Sequence, residues 1–298
     1  MGKAVLGVIG GSGLYDMEGL EARQWRAVDT PWGAPSDELC FGRLHGLDMV
    51  FLPRHGRGHA LSPSEVNYRA NMDALKRAGA TDVVAVAACG SLRADYKPGE
   101  FVLVTQFIDR SFARAKSFFT DGCVAHVSMA DPVCARLCDM LAAAAQKLNL
   151  PLHREATGLV MEGPQFSSRA ESELYRQWGC DTISMTHMPE AKLAREAELP
   201  YAVLACVTDY DCWHPRAAAV EVAEVVAQLG ANAQASQRMI AELAAALADF
   251  GDARPPSPQG IETVLDAALI TPPEARAPAA LKKLDAILAR VHKATDQT

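Results

Sequence analysis

The sequence predicts an α/β fold, a single domain with a central mixed β-sheet flanked by helices. Short apolar runs rich in β-branched residues alternate with longer amphipathic stretches through most of the 298 residues. Hydrophobic residues make up 49% of the chain, enough for a sizeable core. A Pro-rich stretch at 251–258 interrupts this pattern. We therefore divide the chain into a domain over 1–250 and a linker with a helical extension over 251–298.

The predicted strands are the apolar runs, which polar or glycine residues bound on both sides. They cover Val5 to Ile9, Met49 to Leu52, Asp82 to Ala87, Phe101 to Phe107, Thr157 to Met161, Thr182 to Met185 and Ala202 to Val207. The predicted helices cover Ser64 to Ala78, Asp131 to Leu148, Ser168 to Trp178, Glu190 to Glu198 and Ala217 to Phe250. In the extension, Ile261 to Ile270 and Ala279 to Val291 have the pattern of two further helices, which we expect to pack on the body or on a neighbouring subunit.

Charge and cysteine usage narrow the class of protein. The formal net charge is −7 and no block of Lys and Arg occurs, so nothing indicates nucleic-acid binding. Eight cysteines are scattered without a C-x-x-C pair, a pattern that predicts neither a zinc site nor a disulfide framework. The first apolar stretch is too short for a signal peptide, and no run reaches membrane-spanning length. We therefore expect a cytoplasmic protein without a membrane partner.

Two aspartates, Asp209 and Asp211, follow the apolar strand that ends at Val207. In α/β proteins, ligands bind at the carboxyl ends of strands. If the chain leaves strand geometry there, both carboxyls can face one pocket, and their repulsion raises one of the two pKa values. Such a pair suits a site that donates a proton to a heteroaromatic nitrogen and accepts a hydrogen bond from an exocyclic amine. The alternative is a plain strand-end turn, because Asp is common in turns.

Two glycine-containing loops after strands are candidate anion sites. The first is Gly10-Gly11-Ser12-Gly13, whose successive N–H groups can form a nest for an anion or simply make a tight turn. It lacks the third glycine of the dinucleotide fingerprint and the lysine of a Walker loop. The second begins at Arg54 and His55, whose guanidinium and imidazole suit phosphate, with a solvated surface loop as the alternative.

Three more segments at strand ends have parts that are ambiguous one by one. The small residues of Ala87 to Ser91 permit close approach of a ligand, or simply pack well. Phe166 can stack on a base, although the neighbouring Ser168 and Glu171 form a capping-box pattern. Met185 is a candidate apolar wall, and Thr186 a candidate donor to phosphate or ribose. Their shared placement predicts one ligand crevice.

In this order the segments resemble the methylthioadenosine phosphorylase branch of the trimeric purine nucleoside phosphorylase family. The matching motifs are Ile9-Gly10-Gly11-Ser12-Gly13, Arg54-His55-Gly56, Asn67-Tyr68-Arg69-Ala70-Asn71, Ala88-Cys89-Gly90-Ser91-Leu92, Gln106-Phe107-Ile108-Asp109-Arg110, Glu162-Gly163-Pro164, Phe166-Ser167-Ser168-Arg169-Ala170-Glu171-Ser172 and Thr208 to Trp213. The resemblance implies a nucleoside phosphorylase-like fold and a homotrimer. It also implies phosphorolysis of a purine nucleoside, with inorganic phosphate as co-substrate and without metal or organic cofactor.

The resemblance also implies a role for each matching residue. Ser12, Arg54, His55, Ala88 and Thr186 are expected around phosphate, Met185 beside the ribose, Phe166 and Ser167 near the base, Asp209 and Asp211 at the purine edge, His126 from a neighbouring subunit near the 5′ end, and Val222, Val225 and Val226 around a methylthio group. Ala87, in the phosphate segment, stands where the family has a hydroxyl residue, which implies one contact fewer. Gln165 and His187 also depart from the family pattern.

The hypothesis is that the chain converts 5′-methylthioadenosine and phosphate into adenine and 5-methylthioribose 1-phosphate. Asp209 is the candidate donor of a proton to N7 of the purine, which requires a raised pKa. Asp211 is expected to accept from the 6-amino group or to orient Asp209. The alternative within the family is a phosphorylase for adenosine or for 6-oxopurine nucleosides such as methylthioinosine or inosine. A nucleotide-cofactor oxidoreductase and a non-catalytic nucleoside sensor are alternatives from other classes.

Overall fold

The computed structural model describes residues 3–11, 13–214 and 222–295, and it confirms the predicted α/β class with a central mixed sheet. Nine strands form this sheet in the order β2-β3-β4-β1-β5-β8-β7-β6-β9. Their bounds are Val5–Gly10 (β1), Glu21–Arg26 (β2), Leu39–Leu44 (β3), Leu47–Pro53 (β4), Asp82–Ser91 (β5), Phe101–Asp109 (β6), Leu152–Val160 (β7), Thr182–Ser184 (β8) and Tyr201–Asp209 (β9).

Part of the sheet closes into a ring, because β5 pairs with three other strands. Its first half is parallel to β1, its length from Val83 to Gly90 is parallel to β9, and its last residues, Gly90 and Ser91, run antiparallel to β8. The strands β8, β7, β6 and β9 are joined in turn, so that β5, β8, β7, β6 and β9 form a closed barrel-like unit. The parallel pairing of β1, β4, β5 and β9 brings their carboxyl ends to the same edge.

All seven predicted strands are present, and two others, β2 and β3, were missed. The strand β2 is an edge strand that is exposed along nearly its whole length, so it has no apolar run to mark it. The strand β5 continues to Ser91, which places the small residues from Ala87 onward inside the strand and not after it.

Eight α-helices flank the sheet within the described part of the chain. They span Tyr68–Arg77 (α1), Ala135–Lys147 (α2), Arg169–Gln177 (α3), His187–Glu196 (α4), Val222–Asp249 (α5), Leu265–Ala268 (α6), Pro278–Lys283 (α7) and Ala289–Thr295 (α8). The helix α3 begins with the predicted capping box, in which Ser168 and Glu171 bond reciprocally. In the described residues, no helix is both long and apolar enough to cross a lipid bilayer.

The segment after Gly251 packs on the body of its own chain. Instead of two long helices it forms 3₁₀ turns and the short helices α6, α7 and α8, with Leu284, Ile287 and Leu288 fully buried in the core. The guanidinium of Arg290 donates to both carboxylate oxygens of the buried Glu198, at 2.7 and 2.6 Å. Apolar burial and this ion pair together attach the segment to the end of α4.

Candidate active site

The first predicted anion loop lies beside the second because β1 and β4 are parallel neighbours. Gly10 pairs with Pro53, and the N–H of Arg54 donates to the carbonyl of Gly10 at 3.0 Å. The glycine-containing loop therefore starts directly next to the Arg54 backbone. Ser12 falls outside the described residues.

The side chain of Arg54 points inward and is only 3% exposed. Its Nε and Nη2 donate to the two carboxylate oxygens of Glu190, at 2.5 and 3.1 Å, and Nη1 donates to the carbonyl of Val86 at 3.0 Å. The hydroxyl of Tyr201 donates to the same Glu190 carboxylate at 2.9 Å. A buried charge of this kind is stable only when an opposite charge and hydrogen bonds satisfy it, and Glu190 supplies both.

Two histidines near Arg54 are neutral at physiological pH. Burial lowers the pKa of His55 to about 4 and that of His187 to about 3, and the positive charge of Arg54 is the second cause in both cases. His55 donates from Nδ1 to the carbonyl of Leu61 at 2.8 Å, because a carbonyl can only accept. Its Nε2 is therefore an acceptor. Nδ1 of His187 bonds with the hydroxyl of Ser184 at 2.9 Å, and its buried Nε2 has no partner among the described residues.

Thr186 and Met185 connect β8 to α4. Thr186 is buried at the N-cap position of α4, and its side chain makes no cap hydrogen bond there. The sulfur of Met185 packs against Gly163, where an added Cβ would lie only 2.5 Å away. The buried Arg114 holds this region together by donating to the carbonyls of Met185, Met188 and Glu162.

Asp209 and Asp211 lie together opposite Gly90. Asp209 ends β9 in register with Gly90, and Asp211 has a φ of +50°, so the chain leaves strand geometry between the two carboxyls. A Cβ added at Gly90 would lie 3.0 Å from Oδ1 of Asp209 and 3.5 Å from Cβ of Asp211. The absence of a side chain at Gly90 therefore leaves room for the carboxylate of Asp209, while Asp211 is at an ordinary contact distance.

The two carboxyls differ in their surroundings. Oδ1 of Asp209 accepts from the N–H of Asp211 at 2.8 Å, and Oδ2 accepts from the hydroxyl of Thr208 at 2.7 Å. Asp211 is 2% exposed, and its Oδ2 has no hydrogen-bond partner among the described residues, although the hydroxyl of Ser172 is close enough to favour its ionised form. Burial outweighs that hydroxyl and raises the pKa of Asp211, and the charge of Asp209 raises it further.

The segment after the aspartates is anchored at both ends. The thiol of Cys212 donates to the carbonyl of Ser167 at 3.3 Å, which ties the predicted base-binding segment to the aspartate pair. The indole N–H of Trp213 donates to the carbonyl of Ser91 at 2.8 Å, and the guanidinium of Arg176 covers its ring at 3.7 Å. These contacts join the end of β5, the loop before α3 and the segment after β9 into one wall.

Other predicted site residues lie away from this wall or at its rim. Val222 and Val226 are 65% and 61% exposed at the start of α5, Val225 is half-buried, and Phe166 is 40% exposed. The side chain of His126 is exposed, while its backbone N–H donates to the carbonyl of Ala268 at 2.9 Å. Ala87 and Ala88 are half-buried within β5. In the single chain the three valines thus form no closed pocket within the described residues.

Three residues that support the candidate site by hydrogen bonds could not be named from the sequence: Glu190, Tyr201 and Arg114. Glu190 falls in a predicted helix and Tyr201 at the start of an apolar run, so neither had a local signal. Glu190 and its partner Arg54 are 136 positions apart in the chain.

Comparisons with known proteins show which family has this sequence and fold. The model of the phosphorylase superfamily matches residues 5–245. S-methyl-5′-thioadenosine phosphorylase of Cereibacter sphaeroides is 57% identical over 98% of this chain and 99% of its own length. The enzyme of the same name from Rhodospirillum rubrum is 56% identical over 96% of this chain and 97% of its own length.

Two solved structures have the same fold. A methylthioadenosine phosphorylase from an antarctic soil metagenomic library is 46% identical, with a TM-score of 0.90 over 97% of this chain and 100% of that one. The methylthioadenosine phosphorylase of Schistosoma mansoni in complex with adenine is 38% identical, with a TM-score of 0.79 over 83% and 92%.

Proposed function

The chain belongs to the phosphorylase superfamily, and we propose that it splits 5′-methylthioadenosine with phosphate into adenine and 5-methylthioribose 1-phosphate. The observation that carries this proposal is the meeting of Asp209 and Asp211 opposite Gly90 at the end of β9. Relatives named S-methyl-5′-thioadenosine phosphorylase, 54 to 57% identical over nearly the whole chain, support the choice of nucleoside.

The reaction leaves positive charge on the ribosyl ring and negative charge on the departing purine. Phosphate, bound near Arg54, His55, Thr186, Ala87, Ala88 and the loop containing Ser12, lies beneath the ribosyl cation and then captures it. Asp209 carries the proton that goes to N7 of the purine. Asp211 orients Asp209, a role that the hydrogen bond from its own N–H to Oδ1 of Asp209 supports. Met185 lies by the ribose, with Phe166 and Ser167 near the base.

The 5′ end of the nucleoside is bound between two copies of the chain in a homotrimer. The exposed Val222 and Val226, with Val225, form the methylthio pocket once a neighbouring subunit covers them and contributes His126. Near His126 the exposed Ile270 is held by a hydrogen bond from its N–H to the carbonyl of Val124. This apolar surface is suited to contact with a second copy.

We propose the remaining parts of the function on the family resemblance and on the sequence. Inorganic phosphate is a co-substrate, and no metal or organic cofactor takes part. The protein acts in the cytoplasm on small molecules and has no nucleic-acid or membrane partner.

Cleavage of adenosine is a second candidate activity. A Schistosoma mansoni structure that is 38% identical to this chain carries the name adenosine/methylthioadenosine phosphorylase. The exposed valines near the 5′ end favour the apolar methylthio group over a 5′-hydroxyl. Inosine and methylthioinosine fit less well, because a 6-oxo group needs a donor where this chain has two carboxyls.

The test is phosphate dependence. We expect purified protein to release adenine from methylthioadenosine only when phosphate is present, and to release it faster than from adenosine. Release in phosphate-free buffer would indicate a hydrolase. No release in either buffer would contradict catalysis and favour a nucleoside sensor.

A further inference from the structure

Glu190 is the buried counter-charge of Arg54 and lies on the helix that follows Thr186. It is 3% exposed, and its carboxylate accepts from Nε and Nη2 of Arg54 and from the hydroxyl of Tyr201. Nη1 of Arg54 donates one N–H to the carbonyl of Val86. An arginine has five N–H groups, so these bonds leave one on Nη1 and one on Nη2 for a ligand.

We propose that Glu190 is a positioning residue that aims Arg54 at phosphate, an inference that rests on the proposed function. The guanidinium is planar and rigid, so clamping the Nε–Nη2 edge fixes the direction of the terminal N–H groups. Those two groups, one on each terminal nitrogen, can donate to phosphate oxygens. Without the clamp, the Arg54 side chain could rotate, and its N–H groups would no longer be held in one direction.

The placement of Glu190 on α4 gives the clamp a second effect. Thr186 lies just before α4, four residues from Glu190, although the backbone leaves helical geometry between them at Met188. Tyr201, at the first position of β9, connects that element to the strand that carries Asp209. The phosphate half and the purine half of the site are therefore held in a fixed relation by the bonds around Glu190.

The inference is tested with Glu190→Gln, which keeps the shape of the side chain but removes its charge and one acceptor oxygen. We expect the KM for phosphate to rise at least about tenfold, because Arg54 is no longer held in its productive orientation. The KM for methylthioadenosine at saturating phosphate should change much less. Tyr201→Phe, which removes only the hydroxyl bond to Glu190, should raise the phosphate KM in the same direction but by a smaller factor.

The matched control is Glu198→Gln. Glu198 is also buried and also pairs with an arginine, but that arginine is Arg290 in the C-terminal segment. If burial of a charge pair were all that mattered, both Gln variants would lose thermal stability and neither would change the phosphate KM selectively. A selective change in Glu190→Gln alone supports positioning.

The outcomes separate this inference from the proposed function. A wild-type protein whose turnover does not depend on phosphate contradicts the proposed function itself. A phosphate-dependent wild type with an unchanged or lower phosphate KM in Glu190→Gln overturns the positioning role. Should Glu190→Gln fail to fold, Tyr201→Phe decides: a raised phosphate KM supports the clamp and an unchanged one overturns it.

Discussion

The backbone N–H of Asp211 donates a hydrogen bond to Oδ1 of Asp209 at 2.8 Å. This bond exists because the chain turns sharply after β9, with a φ of +50° at Asp211. The hydroxyl of Thr208 holds the other carboxylate oxygen of Asp209. One short segment therefore fixes both the separation of the two carboxyls and the orientation of Asp209.

Replacing Asp209 tests its proposed role as the proton donor. Asp209→Asn keeps an oxygen to accept from Asp211 but cannot supply the proton, so kcat/KM for methylthioadenosine should fall at least about 100-fold. The amide N–H₂ can donate to a 6-oxo group, so the preference should move toward methylthioinosine. Steady-state kinetics on both nucleosides measures this, with the surface variant Asp48→Asn as control. Undiminished turnover of methylthioadenosine would rule out the role.

Gly90→Ala tests whether the site needs the space opposite Asp209. The new methyl group would lie 3.0 Å from Oδ1 of Asp209 and 3.0 Å from Cγ2 of Ile183, so the carboxylate must shift. We expect kcat to fall about tenfold or more. Gly230→Ala is the control, because a Cβ at that position on α5 meets nothing within 4 Å. It should keep full activity and gain stability of about 0.5–1 kcal/mol. Equal kinetics for both variants would contradict the prediction.

The buried Glu196 predicts a pH dependence of stability. Burial raises its pKa to about 7, while its carboxylate accepts from the N–H of Phe118 and the hydroxyl of Ser117. The folded state therefore favours the protonated form, and the stabilisation from Glu196 is complete below its unfolded value near 4.5 and is lost as the pH rises through 7. Glu196→Gln removes this titration.

Denaturant unfolding at several pH values measures the effect. Between pH 4.5 and pH 8, the wild type should lose roughly 3 kcal/mol of unfolding free energy that Glu196→Gln does not lose. The difference in stability between the variant and the wild type should therefore shift by that amount in favour of the variant. Glu173→Gln, which changes an exposed glutamate on α3, serves as the control and should follow the wild type. A constant difference between Glu196→Gln and the wild type across this range would refute the raised pKa.

Arg114→Lys tests the group that joins the loops around Met185. A lysine ammonium cannot bridge the carbonyls of Met185, Met188 and Glu162 with the fork of a guanidinium. We expect a loss of about 2–4 kcal/mol in unfolding free energy and a higher KM for the nucleoside. The exposed Arg110, on the same segment, provides Arg110→Lys as the control. If Arg114→Lys had the unfolding free energy and the nucleoside KM of the wild type, the loops around Met185 would keep their structure without the Arg114 guanidinium.

Strands with long apolar runs could be predicted from the sequence, because burial on both faces leaves a clear hydrophobic signal. That holds for β1, β5 and β9, whose cores are almost fully buried. The edge strand β2 has no such signal, since its charged side chains face solvent. The closure of β5 on β9 and β8 could not be predicted either, because strand pairing depends on long-range packing.

The site shows the same division. Arg54 and the Asp209–Asp211 pair could be named as candidates from the sequence, because their residue types stand out at strand ends. The partnership of Arg54 with Glu190 could not, because it depends on how α4 packs against β9 and on the hydroxyl of Tyr201. Local sequence patterns predict which chemical groups are present. The fold determines which charges are paired and in which direction a side chain points.

The closed unit of five strands has a consequence for how the protein is made. The strand β9 completes it last, because residues 201–209 must pair with β5 and β6, which precede them by about a hundred positions or more. Until then β5 and β6 have unpaired edges that are prone to aggregate. Asp209 is the final residue of that strand, so a nascent chain acquires its candidate purine-binding end only in the step that pairs these edges.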